Sequence, residues 1–204
     1  LKSQMNPHFI FNSINIAQSY ILEANKEKAY EHLEKFAKLL RLKLDYSDKI
    51  LIPIEDEITM IHLYLELEHN RFESKFEYNF DVDEELTNGV YEVPGMIIQP
   101  FVEKALIHGV LSLPESGGVI SVNLKRKGDS LECIIEDNGV GRAAAKVIKE
   151  QKGKHLRSIA IYNIRERLNI IGKHTGTEIE VKTEDLFSAE RPAGTKVSFT
   201  LPLD

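Results

Sequence analysis

The sequence predicts an α+β protein in two parts, a helical part over residues 1–48 and a mixed part over residues 49–204. Apolar residues in the first part recur at helical spacing, and the period changes to strand-like alternation from Lys75 to Val82. Strands and helices then share the remaining length, which predicts helices on one face of a mainly antiparallel sheet. With 42% hydrophobic and 28% charged residues, the 204-residue chain can bury a sizeable core.

The first part is predicted to be a helical hairpin. One helix lies within residues 1–24, and a second follows a turn at Asn25-Lys26. Their apolar positions are Ile10, Ile14, Ala17 and Ile21, then Ala29, Leu33, Phe36, Leu39, Leu40 and Leu44. Because two helices cannot bury these stripes fully by themselves, we expect a homodimer that forms a four-helix bundle.

In the second part, a third helix is predicted from Ile54 to Phe72, with acidic residues in its first turn. This helix belongs either to the second domain or to the connection before it. Further strands are expected at 75–82, 119–126, 131–137, 178–183 and 196–201, and helices at 96–111 and 158–172. Residues 142–157 are predicted to be a long basic loop.

Composition excludes several classes of function. The formal net charge of −6 argues against a nucleic-acid binder, and the scattered histidines argue against a zinc site. The single Cys133 is consistent with reducing cytosol. No apolar stretch is long enough to span a bilayer. Because the chain opens at Leu1 within a helical pattern, we expect a fragment of a longer protein whose missing N-terminal part contains any membrane segment.

His8 is the best candidate for a reacting group. Pro7 restarts a helix, and Asn6 is placed to cap it, so His8 falls in an exposed first turn. A neutral imidazole is a nucleophile near pH 7. Asn12 lies one turn further on, within reach of the ring. The alternative is an ordinary histidine at a helix kink.

Asp137-Asn138-Gly139-Val140-Gly141 ends a predicted strand. The aspartate can accept a hydrogen bond from the exocyclic amine of adenine, and the glycines let the backbone pass close to a nucleotide. A simple strand-ending turn is the alternative.

Two further segments carry charge beside apolar residues. Glu103 and Lys104 lie about one helical turn before His108, which indicates a lined cleft or a solvated helix edge. The basic segment 142–157 suits phosphates or is a flexible solvated loop.

Several of these motifs together resemble the internal region of sensor histidine kinases, and more narrowly the subgroup of bacterial autolysis and nutrient-sensing regulators. They are the Pro7 to Asn12 run, Leu40-Arg41, Tyr64-Leu65, Arg71-Phe72 and the Gln99 to Gly109 run, in the family's order. The resemblance implies a dimerisation and phosphoacceptor hairpin followed by a GHKL-type ATP-binding α/β sandwich, as in gyrase, chaperones and kinases. It further implies that ATP phosphorylates His8, which passes the phosphoryl group to the receiver domain of a response regulator. The whole protein would then lie in the bacterial plasma membrane, with this chain in the cytoplasm.

The resemblance also assigns roles to single residues. Asp137 matches the family's adenine-reading aspartate, and Gly139 and Gly141 match its glycines. Glu103, His108 and Gly109 match the first ATP-site motif, and Asn163 matches a polar residue after the lid. Because Phe9 follows His8, no adjacent carboxylate is available, and Glu103 is the predicted proton acceptor.

Two departures from the family pattern concern the cofactors, ATP and Mg²⁺. Lys104 replaces an asparagine that helps hold Mg²⁺, and an ammonium has no lone pair with which to bind a cation. It would contact phosphate directly or repel the metal, so we assign no metal ligand. Ala160 replaces a glycine of the lid. The resemblance therefore leaves open an active kinase or an impaired relative that serves as a dimeric scaffold or nucleotide sensor.

Overall fold

The computed structural model describes residues 7–73, 75–88, 90–151, 168, 172, 179–188 and 191–204. The described chain opens with a hairpin of two helices, α1 (Pro7–Leu22) and α2 (Lys26–Asp45). Pro7 is the first of the described residues and already belongs to α1, so the predicted helix restart stays a prediction, and its cap residue Asn6 lies outside the described residues. The side chain of Asn25 accepts a hydrogen bond of 3.1 Å from the Lys28 backbone N–H and caps α2.

The rest of the chain contains four helices and seven strands among its described residues. The helices are α3 (Ile54–Arg71), α4 (Glu84–Asn88), α5 (Gln99–Lys104) and α6 (Gly141–Gln151). The strands are β1 (Leu51–Pro53), β2 (Phe76–Val82), β3 (Glu92–Pro94), β4 (Gly118–Lys127), β5 (Ser130–Asp137), β6 (Lys182–Ser188) and β7 (Arg191–Pro202).

Five strands form one sheet in the order β2-β4-β5-β7-β6, and β1 pairs separately with β3. Only the β2–β4 pair of this sheet is parallel, so the sheet is mainly antiparallel, as predicted. Alternate residues of its central strands are buried: Ile120, Val122 and Leu124; Leu131, Cys133 and Ile135; Val197, Phe199 and Leu201. This period of two gives the sheet one core face.

Helices α3 and α5 contribute the facing layer of the core. Ile61 and Leu65 of α3 are fully buried, and the Phe101 ring of α5 lies 4.9 Å from the Phe199 ring of β7. The structure thus confirms the predicted α+β class, with helices packed on one face of the sheet.

The hairpin packs on this second part through aromatic side chains. The Phe9 ring lies 6.0 Å from Phe36 of α2 and 5.4 Å from Tyr64 of α3. Of the predicted apolar positions, Ile14, Ile21, Leu33 and Leu44 stay exposed, and Leu40 is half-buried. Together with Phe11, Tyr30 and Ala37 they form an outer stripe of the hairpin.

Three sequence predictions differ from the structure. Helix α6 occupies most of the predicted loop at 142–157, because Ala143, Ala144 and Ala145 are strong helix formers. The predicted helix at 96–111 is divided into α5, a π-helical turn (Ala105–Gly109) and a short 3₁₀ turn. The strand predicted at 178–183 begins at Lys182, where pairing with β7 sets its position.

The helix predicted at 158–172 lies outside the described residues except for residues 168 and 172. Among the helices that the structure describes, none is long and apolar enough to cross a membrane.

Candidate functional site

A cavity of about 260 Å³ lies between the π-helical turn, the start of α6 and the strands β5 and β7. Its polar and charged lining consists of Lys104, His108, Asp137, Arg142, Lys146 and Thr195. Its apolar lining includes Phe101, Ala105, Ile135, Ala145 and Val197. A pocket with an apolar wall and a few polar groups is typical of a small-molecule site.

Asp137 is the buried acid of this cavity, with 5% of its surface exposed. Its Oδ1 accepts a hydrogen bond of 2.9 Å from the Gly139 backbone N–H. Burial raises the pKa of the carboxyl from an ordinary 3.8 to about 6, although the Gly139 bond and the Lys104 charge lower it. Near pH 7 the group is therefore mostly an ionised acceptor held in a largely apolar setting.

Glycines let the backbone approach Asp137 closely. A Cβ on Gly109 would lie 2.5 Å from Asp137 Oδ1, and a Cβ on Gly139 would overlap the backbone of Gly109. Gly141, with a φ of 76°, turns the chain into α6 and lines the cavity. The two segments identified as motifs in the sequence thus meet in space, as a shared site requires.

Lys104 and His108 both line the cavity, and cations from another segment join them. Arg142 and Lys146 project from α6 four residues apart, so they share one face of that helix. Arg142 donates two hydrogen bonds of 2.7 Å from Nε and Nη2 to the carboxylate of Asp185 in β6. Lysines and arginines beside a buried carboxylate suit an anionic group with a hydrogen-bond donor at its other end.

Glu103, in contrast, is not among the lining residues. Its Oε1 accepts a hydrogen bond of 2.8 Å from Gln99 Nε2, and its principal charged neighbour is Lys43 of α2. Burial raises the pKa of Glu103, while the Lys43 ammonium and the Gln99 bond lower it. The role of Glu103 as proton acceptor stays a prediction.

His8 is exposed on the first turn of α1, and its Nδ1 lies 2.8 Å from Asn12 Nδ2. The predicted contact across one helical turn is present. His8 is not among the residues that line the cavity, so the structure does not bring it together with Asp137. The predicted site residues Ala160 and Asn163 lie outside the described residues.

Gly194 and Thr195 are site residues that the sequence analysis missed. Thr195 pairs with Asp137 in the β5–β7 register, and its backbone hydrogen bond lowers the pKa of the Asp137 carboxyl. Gly194 has a φ of 128°, and a Cβ there would overlap the Asp137 carbonyl oxygen. Only the long-range strand pairing brings these residues to the site, and no local motif marks them.

The described lining does not fit a Mg²⁺ ion. Mg²⁺ prefers several oxygen ligands in octahedral geometry, yet Asp137 is the only carboxylate that lines the cavity within the described ranges. In the same part of the chain, no group of three or more His, Cys, Asp or Glu side chains is placed to hold a metal. Lys104, Arg142 and Lys146 contribute positive charge instead.

Comparison with known proteins gives consistent matches. Residues 1–76 match the family described as histidine kinase. The chain is 34% identical over 206 residues to YwpD of Bacillus subtilis (strain 168), covering 100% of this chain and 69% of that protein. It is 33% identical over 211 residues to the sensor protein LytS of Bacillus cereus, covering 99% of this chain but 33% of LytS. The chain therefore spans only about a third of such sensor proteins.

Among solved structures, the mycobacterial sensor histidine kinase MprB aligns with a TM-score of 0.49 at 20% identity. The alignment covers 75% of this chain and 96% of the MprB chain.

Proposed function

The chain belongs to the LytS-like sensor histidine kinases, and we propose that it is the cytoplasmic kinase core of a two-component sensor. In this proposal the cavity binds ATP, the γ-phosphoryl group passes to His8, and His8 passes it to an aspartate of a response-regulator receiver domain. The observation that carries the proposal is the buried Asp137 carboxylate, framed by glycines and accompanied by cationic side chains in one cavity.

The cavity supplies the contacts that an adenine nucleotide needs. The Asp137 carboxylate would accept a hydrogen bond from the exocyclic amine of adenine, and Phe101, Ile135 and Val197 would contact the base. The cations of Lys104 and Lys146 would then contact the phosphates. An aspartate that is buried and ionised is selective, because a ligand without a matching donor would leave it unpaired.

The Asn12 side chain orients the His8 ring. Its Nδ2 donates a hydrogen bond of 2.8 Å to His8 Nδ1. For Nε2 to react, the Asn12 amide would turn over so that its carbonyl oxygen accepts a hydrogen bond from a protonated Nδ1, which leaves the lone pair of the neutral ring on Nε2. The Nε2–phosphorus bond then forms as the bond between the γ-phosphorus and the bridging oxygen breaks, and ADP leaves. Asn12 would act as a positioning residue that stabilises the charge developing on the ring.

Phosphoryl transfer requires His8 to meet a cavity that it does not line. Phe9 holds the start of α1 against Phe36 and Tyr64. His8 would therefore reach a nucleotide through a rearrangement of the hairpin, or it would react at the cavity of a second protomer.

The outer stripe of the hairpin supports a homodimer. On α2, the positions Tyr30, Leu33, Ala37, Leu40 and Leu44 follow the alternating three- and four-residue steps of a coiled-coil seam. Leu33 is 41% exposed and Leu44 is 59% exposed. Pairing of two hairpins would bury this stripe in a four-helix bundle. Residues 1–48 would form this dimerisation region, and residues 49–204 the nucleotide-binding domain of a membrane-anchored sensor.

Labelling with γ-labelled ATP tests the kinase reaction. We expect wild type to acquire acid-labile, base-stable label, because phosphohistidine has this stability, and we expect His8→Gln to acquire none. His62→Gln is the matched control, since His62 is an exposed histidine on α3 and should keep the wild-type level. Label that persists in His8→Gln, or its absence from wild type, contradicts the proposal.

The second candidate function is an impaired kinase that acts as a dimeric scaffold or nucleotide sensor. The observation that favours it is that Lys104 lines the cavity, at the position to which the resemblance assigns a Mg²⁺-binding asparagine. Lys104→Asn separates the two candidates. Increased labelling would identify an impaired site, whereas reduced labelling would show that the lysine takes part in catalysis.

A further inference from the structure

We propose that the cavity binds its adenine nucleotide without a divalent cation, with the ammonium of Lys104 beside the phosphates in place of Mg²⁺. This inference rests on the proposed function, since it assumes that an adenine nucleotide occupies the cavity. It goes beyond the proposed function in two respects: the nucleotide binds free of Mg²⁺, and Lys104 selects this form.

The first argument is the charge of the cavity wall. Within the described residues, Lys104, Arg142 and Lys146 line the cavity together with a single carboxylate, that of Asp137. Asp185 pairs with Arg142 and also interacts with the Lys104 charge, so that three cations face two carboxylates at this wall. Such a wall attracts a polyphosphate directly and disfavours entry of a metal dication.

The second argument is the position of Lys104 relative to Asp137. The positive charge of Lys104 is close enough to lower the pKa of the Asp137 carboxyl, while burial of that carboxyl raises it. The one carboxylate of the described lining is thus compensated by a protein cation, and the proposed function assigns it to the adenine base rather than to a metal at the phosphates. A Mg²⁺ ion at this place would have to compete with that ammonium, which cannot serve as its ligand.

The cations come from two separate elements of the fold. Lys104 ends α5, whereas Arg142 and Lys146 lie one turn apart on α6. The two hydrogen bonds from Arg142 to Asp185 hold the start of α6 against β6. The backbone positions from which these side chains project are therefore set before the ligand arrives, which lowers the entropic cost of binding.

Isothermal titration of the full chain with ATP, in EDTA and in excess Mg²⁺, tests the inference. We expect the wild-type dissociation constants in the two buffers to agree within about threefold. For Lys104→Asn we expect binding in EDTA to weaken at least about tenfold, because a charge-assisted contact with phosphate is lost. Mg²⁺ should restore much of the lost affinity, since the side-chain oxygen of an asparagine can serve as its ligand.

Two further variants serve as controls. Lys104→Arg keeps the cation and should retain binding in EDTA, which separates charge from a folding defect. Lys127→Asn removes a lysine of β4 that pairs with Glu132 of β5. It lies outside the cavity lining, so both dissociation constants should stay unchanged.

The outcomes distinguish this inference from the proposed function. Wild-type binding that appears only with Mg²⁺ overturns the inference and leaves the proposed function standing. Equal loss in both buffers for Lys104→Asn also overturns it, since the lysine would then not replace the ion. No binding in either buffer overturns the proposed function itself, and the inference with it.

Discussion

Glu103 and Lys104 are neighbours in sequence, but they belong to two sides of α5 that balance charge differently. On the side that meets the hairpin, which we call the junction side, buried charges have partners. Glu103 accepts a hydrogen bond from Gln99, and the positive charge of Lys43 lowers the pKa of its carboxyl, which burial raises. The carboxylate of Glu57 accepts hydrogen bonds of 2.7 and 3.2 Å from the Met96 and Ile98 backbone N–H groups.

The cavity side has the opposite character, because positive side chains outnumber the single carboxylate among its described lining residues. A buried charge with a partner holds elements together, whereas an excess of one sign on a cavity wall indicates a ligand of the other sign. The comparison therefore assigns a structural role to the junction side and a binding role to the cavity side.

Replacement of Lys43 should have the largest effect on stability, because it removes the positive charge from the junction side. Lys43 is 9% exposed, and its loss would leave the half-buried Glu103 carboxylate without the nearby positive charge, with Gln99 as its hydrogen-bond partner among the described residues. We expect Lys43→Met to lower the free energy of unfolding by about 2 to 4 kcal/mol, measured by urea denaturation at fixed protein concentration.

The matched control is Lys104→Met on the cavity side, which should cost less than about 1 kcal/mol. The comparison fails if the two lysine variants lose similar stability, because both sides would then be structural. Adding Glu103→Gln to Lys43→Met should recover part of the loss, since it removes the uncompensated charge.

Gly139→Ala should alter the cavity side through shape. The new Cβ would overlap the Gly109 backbone, so the two motif segments must move apart. We expect a loss of about 2 kcal/mol in stability and a clear loss of ATP affinity in calorimetry. Gly128→Ala is the control, because Gly128 has a positive φ of 62° but open space around its Cβ position. It should cost about 1 kcal/mol and leave ATP affinity unchanged.

The protonation of Asp137 should act on stability and binding in opposite directions. The pKa in the folded protein is about 6, above its ordinary value of 3.8. The carboxyl therefore favours the folded state most below about pH 4, and this contribution is lost as the pH rises through about 6. ATP affinity should rise over the same interval, because the ionised form is the better acceptor.

Calorimetry would measure the ATP affinity and urea denaturation the free energy of unfolding, both between about pH 4.5 and pH 7.5. Asp137→Asn should flatten both pH dependences. Stability and affinity that move together with pH would show that another group controls the binding.

Local patterns in the sequence predicted the hairpin, the alternation of β2 and the placement of Asp137 at the end of a strand. They also predicted the contact between His8 and Asn12, since one helical turn fixes that distance. Features that depend on residues far apart in sequence were not predictable. Thr195 reaches the cavity only through strand pairing. Lysine is ordinarily exposed, and burial of Lys43 is explained only by the nearby charge of Glu103, which is far away in the sequence.

The π-helical turn at Ala105–Gly109 sets the direction in which Gly109 faces relative to Lys104 at the end of α5. In a regular α-helix, Gly109 would be rotated roughly 140° away from Lys104 around the axis, since each residue turns about 100°. The wider turn reduces this angle, so the backbone of Gly109 can face Asp137 while Lys104 faces the same cavity. Deletion of one residue from this turn would rotate the backbone that follows it. Lys104 and Gly109 would then no longer face the same cavity, although both residues would still be present.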